Sequence, residues 1–170
     1  AVAAIEASDA GRNVLLIEKM PFPGGISICS GGNVRIAEDA EKALAYLKAS
    51  CAGTTPDDVL HAFAVGMTEV PAYFDFLAGA ADATIDSRPS PGHYPFAGVD
   101  IDVFGYISFD TVADFDVTSA YPNVSSYLPP DRAAGIRLFK VLEDNIAQRD
   151  IDIRLGTPAK RLITDGSGAV

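Results

Sequence analysis

Asn13-Val14-Leu15-Leu16-Ile17-Glu18 is the stretch that decides the fold of this chain. Four consecutive apolar residues, bounded by a polar residue and a carboxylate, are typical of a strand buried in a parallel sheet. An alanine-rich segment, residues 1–10, precedes it with helical spacing, and Gly11 lies where a helix commonly ends. Helix, glycine turn, buried strand and acidic residue form the second half of a βαβ unit, so the sequence predicts an α/β fold.

Glu18 is the candidate ligand-binding residue at the end of this strand. In a dinucleotide-binding fold the corresponding strand ends near the adenosine ribose, whose hydroxyls donate hydrogen bonds to a carboxylate. The same carboxylate repels a 2′-phosphate, which favours FAD or NAD over NADP. The alternative interpretation is a solvated strand terminus, because acidic side chains are mostly exposed.

A glycine-rich loop follows within a few residues of Glu18. It contains Pro23-Gly24-Gly25-Ile26-Ser27-Ile28-Cys29-Ser30-Gly31-Gly32. Glycines let a backbone approach a pyrophosphate or a flavin ring closely, and their amides donate hydrogen bonds to anionic oxygens. Ser27 and Ser30 add two hydroxyl donors. The alternative is a surface loop without a ligand, which has the same composition.

Taken in order, these segments resemble the FAD-dependent oxidoreductase 2 family, the fumarate reductase and 3-ketosteroid dehydrogenase type of flavoprotein. The resemblance covers residues 1–60 and 131–170 best, and its motifs are residues 14–19, Pro23-Gly24-Gly25, Ser30-Gly31-Gly32 and residues 156–165 (Gly-Thr-Pro-Ala-Lys-Arg-Leu-Ile-Thr-Asp). It implies a set of cofactor-binding residues, namely Glu18, Lys19, Gly24, Gly25, Ser27, Ser30, Gly31, Gly32 and Ala159. Ala159 would hold the adenine ring through its backbone.

The resemblance also implies the cofactor and the reaction. Members of the respiratory complexes attach flavin through a histidine of this loop, but Gly25 stands at that position and neither His61 nor His93 lies in the loop. Non-covalent FAD is therefore expected. Ile26 replaces an asparagine common in soluble members, so one polar cofactor contact is absent or supplied by backbone. The implied reaction is hydride transfer between a carbon of a small-molecule substrate, ketosteroid-like or fumarate-like, and the flavin ring.

The same resemblance predicts the organisation of the chain. We expect a three-layer, Rossmann-like FAD/NAD(P)-binding domain that is incomplete, because the first strand and the G-x-G-x-x-G loop would lie before Ala1. Residues 1–170 would be a partial FAD-binding domain, and the fragment alone would be inactive. Within it, residues 1–35 and 131–170 would form the nucleotide-binding part, and residues 36–130 a helical insertion rich in proline and tyrosine.

Composition narrows the class of protein. The formal net charge is −10, which argues against a nucleic-acid partner, since phosphate binding needs clustered lysine and arginine. No apolar run is long enough to span a membrane. The two cysteines, Cys29 and Cys51, have no metal-ligand spacing and are expected to be free, mostly buried thiols. A cytoplasmic location is the corresponding expectation.

The remaining elements follow from periodicity and breaker residues. Helices are predicted over residues 39–50, from Thr55 with Pro56 at the first position and Asp58 completing a capping box, and from a cap at Asp131. Pro71 predicts a kink or a restart in the second of these helices. Strands are predicted over residues 99–103, 105–109, 151–155 and 160–163, with a hairpin turn over residues 165–168 leading to Val170.

Two rival functions remain open at this point. An NAD-dependent dehydrogenase accommodates Glu18 but leaves the glycine loop, residues 24–32, unexplained. A non-catalytic helical interaction module treats the same loop as a linker.

Overall fold

The parallel strand pair predicted by the sequence is present. The computed structural model describes residues 1–125 and 133–167, and in it β1 (Val14–Ile17) lies beside β5 (Ile151–Arg154). The two strands run parallel, with Leu16 opposite Ile153. A parallel pair needs a long crossover connection. That connection, from the end of β1 to the start of β5, contains every other described element except the helix that precedes β1, and the α/β class is confirmed.

The helix before β1 also agrees with its pattern. This helix, α1 (Val2–Asp9), ends at Ala10, and Gly11 follows with a φ of +73°. Its amide donates to the Ser8 carbonyl at 2.8 Å. Glycine adopts this left-handed conformation without steric penalty, which allows the chain to reverse directly into β1.

A second sheet has three antiparallel strands, of which the sequence predicted only the central one. The strands β2 (Val34–Ala37), β3 (Ala83–Pro89) and β4 (Phe104–Val112) are arranged in the order β2-β4-β3. The prediction for residues 105–109 is confirmed and lies within the longer β4. The other two strands were missed because β2 is short and β3 ends in Ser-Arg-Pro, so neither has a clear alternating pattern.

Four further α-helices are described. They are α2 (Ala40–Cys51), α3 (Asp57–Ala81), the short α4 (Pro122–Ser125) and α5 (Ala134–Ala147). The start of α2 is set by Asp39, whose side chain accepts a hydrogen bond from the Lys42 amide at 2.9 Å. The predicted cap at Asp131 lies outside the described residues, as do Gly168 of the predicted hairpin turn and Val170.

One of the two predictions for α3 is wrong. Asp58 does not complete a capping box: the helix begins at Asp57 after Pro56, with no side-chain hydrogen bond to its first turn. Pro71 does not restart the helix, which continues through it to Ala81, and the predicted kink at this residue stays a prediction. Buried residues lie on both sides of the proline, including Met67 and Phe74, so packing against the core holds the two halves in one helix.

The strand predicted over residues 99–103 is also wrong. Asp100 folds the segment locally, because one carboxylate oxygen accepts the Asp102 amide at 2.9 Å and the other pairs with Lys42 at 2.9 Å. The Gly92 amide donates to the Ile101 carbonyl at 2.8 Å, which closes a loop rather than a ladder. Aspartate favours such turns because its side chain competes for backbone amides.

The strand predicted over residues 160–163 has no regular structure. Leu162 and Ile163 expose 74% and 79% of their surface. No neighbouring strand pairs with this segment within residues 1–125 and 133–167. An isolated apolar segment without a partner strand lacks the cross-strand contacts that stabilise a sheet.

The main core joins the helices to both sheets. Its buried side chains come from α1, α3, β4 and α5, and they include Ile5, Phe74, Phe109 and Val141. Phe74 and Phe109 are stacked with ring centroids 4.6 Å apart. Leu16 of β1 packs against the same cluster, so this core fixes the parallel pair relative to the antiparallel sheet.

Two findings bear on the remaining predictions from composition. Within the described part of the chain, no helix is long and apolar enough to cross a membrane. Both cysteines are free, as expected, but Cys29 is exposed and Cys51 is only partly buried, so the expected burial of the thiols is wrong. Cys29 ends a single 3-10 turn (Ser27–Cys29) whose central Ile28 takes the buried position instead.

Candidate cofactor-binding site

Glu18 is held at the carboxyl end of β1 by hydrogen bonds that its backbone makes with two other residues. Its amide donates to the Arg154 carbonyl at 2.9 Å, and its carbonyl accepts the Thr157 amide at 2.7 Å. The half-buried side chain accepts the Met20 amide through Oε1 at 2.8 Å. For the second carboxylate oxygen, the described residues supply no hydrogen-bond donor, so that oxygen is available to a ligand.

The glycine loop reverses the chain directly after this strand. Gly24 and Gly25 have φ values of +123° and +52°, which favour glycine at both positions. The Ile28 amide donates to the Gly24 carbonyl at 3.3 Å, and a Cβ on Gly24 would lie 3.0 Å from the Ile28 side chain. Gly24 therefore sits directly against Ile28, and the conformation of the turn follows the position of that side chain.

A cleft of about 600 Å³ lies between β1, β5, α5 and this loop. Four predicted site residues line it together: Glu18, Gly24, Gly25 and Ser27. Apolar side chains of the two strands, of α5 and of the residue after β5 form most of the remaining wall, namely Leu16, Phe139, Leu142, Ile146, Ile153 and Leu155. The cleft is thus an apolar slot with a carboxylate at the end of a strand.

The other predicted site residues do not line the cleft. Ser30 donates through its hydroxyl to the Ser27 carbonyl at 2.7 Å and accepts the Gly32 amide at 3.1 Å, so it stabilises the loop internally. Gly31 is exposed, and Gly32 is buried against α5. Lys19 and Ala159 are exposed, each one or two positions beyond the Glu18–Thr157 pair.

Glu143 is a polar residue of the cleft that the sequence analysis missed. It lies on α5, and its carboxylate accepts the hydroxyl of Tyr121 at 2.5 Å. Burial, followed by this hydrogen bond and the negative charge of Glu143, raises the pKa of Tyr121. The amphipathic pattern of α5 was a signal for a buried helix face, but it does not reveal which polar residue borders a cleft.

The electrostatic character of the cleft is acidic. Glu18 and Glu143 are its charged side chains, and no lysine, arginine or histidine occurs among its described lining residues. Ile26, beside the cleft in the glycine loop, exposes 88% of its surface. A cleft of this kind suits hydroxyl groups and flat apolar rings, whereas a phosphate in it would depend on backbone amides.

Comparison with known proteins identifies the family of this chain. A family profile described as "FAD binding domain" matches residues 1–170. Searches of curated proteins and of solved structures gave no match. The chain therefore belongs to this family of FAD-binding domains, that of the FAD-dependent oxidoreductase 2 proteins, and its cofactor is FAD.

Proposed function

We propose that Glu18 binds the adenosine ribose of FAD in the cleft between β1, β5, α5 and the glycine loop. The observation that carries this proposal is the position of its half-buried carboxylate at the carboxyl end of β1, in the cleft wall and with one oxygen available. Ligands of open α/β sheets bind beyond the carboxyl ends of the strands. Glu18 would accept hydrogen bonds from the ribose hydroxyls there.

The residues of the cleft fit the adenosine end of FAD. Apolar walls from α5 and β5 suit the adenine ring, and the glycine turn at Gly24 and Gly25 brings backbone close to the ligand without side chains. Ser27 would add a hydroxyl donor. Because no basic side chain lines the described cleft, the pyrophosphate would depend on backbone amides for its hydrogen bonds.

The remaining assigned residues would act around the cleft rather than inside it. Ala159 would hold the adenine ring through its backbone, two residues beyond the Thr157 amide that bonds to Glu18. The other four are Lys19, Ser30, Gly31 and Gly32. The segment assignment belongs to the same proposal: residues 1–35 and 131–170 as the nucleotide-binding part, supported by the pairing of β1 with β5.

FAD would be held without a covalent bond. His61 lies exposed on α3 and His93 lies exposed in the loop between β3 and β4. Neither histidine is among the residues that line the cleft. Flavin should therefore leave the protein when the full-length chain is denatured in acid, and flavin that stays with the precipitated protein would contradict this part of the proposal.

Membership of the family makes the parent protein a flavin-dependent oxidoreductase, and neither rival function gains support from the match. We propose hydride transfer between a substrate carbon and the flavin, with a ketosteroid-like or a fumarate-like substrate. FAD, when bound, supplies the ring that exchanges the hydride. This chain binds and orients the cofactor.

The location that we propose for the parent protein is cytoplasmic, because its two cysteines are free thiols.

The central test compares Glu18→Gln with Glu41→Gln in the full-length apoprotein. Glu41 is an exposed carboxylate in the first turn of α2, so its variant removes the same charge far from the cleft. Titration with FAD, followed by flavin fluorescence, should give a dissociation constant raised about tenfold for Glu18→Gln only, since hydrogen bonds to charged groups contribute on this order. Equal affinity of both variants and the parent would refute the role of Glu18.

Substrate class is tested on the same full-length protein. Bleaching of the flavin absorbance under anaerobic conditions by a 3-ketosteroid would support the ketosteroid-like class. Reoxidation of the chemically reduced flavin by fumarate would support the dicarboxylate class. A protein that shows no flavin absorbance after incubation with FAD and removal of the unbound cofactor would contradict the flavoprotein function itself.

A further inference from the structure

Gly135, in the first turn of α5, lies in backbone contact with the glycine loop. A Cβ on Gly135 would lie 2.3 Å from the carbonyl oxygen of Ser30 and 2.9 Å from its amide nitrogen. It would also lie 2.9 Å from the carbonyl oxygen of Ser27. All three neighbours are backbone atoms, which cannot rotate away as a side chain can. Any side chain at this position therefore requires the loop or the helix to move.

Gly32 makes the reciprocal contact from the loop. A Cβ on Gly32 would lie 2.2 Å from the carbonyl carbon of Ala134 and 2.3 Å from its oxygen. Its φ of +65° adds a second requirement for glycine. Loop and helix thus approach through two glycines, one on each side, and the contact sets the separation between them.

Apolar packing and a hydrogen bond hold this contact in place. Ile28, 3% exposed, packs in one cluster with Ala133 and Ile136 at the start of α5. One turn further on, the Arg137 guanidinium donates to the carbonyl of Phe109 in β4 at 2.9 Å. The start of α5 is therefore fixed to the antiparallel sheet, and the loop is fixed to α5.

This contact bears on the cleft through the glycine turn. Ile28 is bonded to the Gly24 carbonyl and touches the Gly24 Cβ position, and Gly24 lines the cleft. Gly135 itself is not among the lining residues. A displacement of the loop from α5 would move the turn that faces the ligand, although Gly135 never touches that ligand.

We propose that Gly135 is a positioning residue for FAD binding: its missing side chain lets α5 hold the loop in the conformation that receives the cofactor. A loop held in its bound conformation loses less conformational entropy on binding, so its ligand binds more tightly. This inference rests on the proposal that the cleft next to Glu18 holds FAD.

The test uses Gly135→Ala and Gly66→Ala in the full-length apoprotein. Gly66 is a matched control because it is also a helical glycine, and no atom lies within 4 Å of its Cβ position. FAD titration should show a dissociation constant raised about tenfold or more for Gly135→Ala and unchanged for Gly66→Ala. Binding of ADP, which carries the adenosine end and the pyrophosphate of FAD, should also weaken in Gly135→Ala only. A folded Gly135→Ala protein with the parent affinity for FAD and for ADP would overturn the proposal.

A gentler pair of variants covers the case in which Gly135→Ala does not fold. Ile28→Val loosens the contact of the loop with α5 without a clash, and Ile107→Val removes the same methyl group from buried β4, away from the loop. Both should lower the melting temperature, since each removes buried apolar surface. Only Ile28→Val should weaken the binding of FAD and of ADP. Equal effects of the two variants on FAD would overturn the proposal.

One further variant separates this inference from the proposed site. Ser27→Ala alters the cleft wall directly. If Ser27→Ala and Glu18→Gln weaken FAD binding but Gly135→Ala and Ile28→Val do not, the positioning role fails and the site stands. If none of the four changes the affinity, the proposed site fails.

Discussion

The guanidinium of Arg149 binds both carboxylate oxygens of Asp9 at 2.7 Å, although the two residues lie 140 positions apart in the chain. The pair joins the end of α1 to the residues that follow α5. The Arg149 side chain is only 12% exposed, and its guanidinium also donates to the Asn145 carbonyl. Separate hydrogen bonds to the two carboxylate oxygens fix the geometry of this pair, whereas the exposed pair of Arg154 and Asp152 uses one carboxylate oxygen.

Asp9→Asn should lower the free energy of unfolding at neutral pH. The hydrogen bond and the charge of Arg149 lower the pKa of the Asp9 carboxyl. A lowered pKa in the folded state means that the stabilisation is present at neutral pH and is lost as the pH falls through that lowered value. Urea denaturation should therefore show a deficit at pH 7 that shrinks as the pH falls below about 4, the ordinary value for aspartate.

Asp152→Asn is the matched control for this prediction. Asp152 also pairs with an arginine, Arg154, but both side chains are more than half exposed. Its variant should unfold at the same urea concentration as the parent, because exposed ion pairs contribute little. Equal stability of Asp9→Asn and Asp152→Asn at pH 7 would contradict the structural role of the Arg149 pair.

Asn145→Leu should destabilise the protein by about 1–3 kcal/mol. Asn145 is fully buried, and its amide donates to the carbonyls of Leu77 and Val141 at 2.9 Å each. Leucine has a similar size but cannot donate, so the link from α5 to α3 is lost. Urea denaturation measures the change. Asn33→Ala, at an exposed position directly after the glycine loop, should leave the midpoint nearly unchanged, and a similar loss in both variants would refute the prediction.

Phe109→Ala should cost about 3–5 kcal/mol of stability, because it leaves a cavity in the core. Phe109 is fully buried and stacked on Phe74. Phe63→Ala is the control: this side chain lies on α3 with 56% of its surface exposed, and its removal should change stability by no more than about 0.5 kcal/mol. Thermal unfolding compares the two variants. A Phe109 variant as stable as the Phe63 variant would contradict the assignment of Phe109 to the core.

Tyr121 and Tyr73 should resist ionisation in the folded protein. Burial is the largest cause for both, and it raises the pKa of Tyr73 to about 12 and that of Tyr121 further. In an absorbance titration of tyrosinate, Tyr121→Phe and Tyr73→Phe should each reduce the signal only well above about pH 10, the ordinary value for tyrosine. Loss of amplitude near pH 10 in either variant would contradict the burial of that hydroxyl.

The same two tyrosines predict how stability depends on alkaline pH. Because their pKa values are raised in the folded state, the contribution is complete below the unfolded pKa of about 10 and declines as the pH rises past it. The free energy of unfolding should therefore fall above about pH 10, and less steeply in the double phenylalanine variant. An equal slope in parent and variant would exclude these groups as the cause.

Local patterns were sufficient for β1, for the helix before it and for the position of Glu18. A run of four apolar residues after a left-handed Gly11 needs no distant contact to be recognised, and the acidic residue must then lie at the carboxyl end of the strand. Glu18 lines the same cleft as Gly24, Gly25 and Ser27 because these residues are close together in the chain.

The second sheet and two strand predictions show where local patterns fail. The short β2 and the polar end of β3 are strands because β4 lies between them and pairs with both. Residues 160–163 have the composition of a strand but no strand beside them among the described residues. A strand depends on partners that can be far away in sequence, so its existence is not a property of its own residues alone.

The sequence by itself determined the α/β class, the glycine loop and a carboxylate at the end of the first strand, because each depends on residues close together in the chain. Only the tertiary structure decided which residues share the cleft, since Phe139, Glu143 and Ile153 reach it from α5 and β5 across the whole connection. It also separated Gly24 and Gly25, which face the cleft, from Gly32, which packs on α5. The glycines of one loop are chemically identical. Only their neighbours in space therefore distinguish a glycine that faces a ligand from one that packs against a helix.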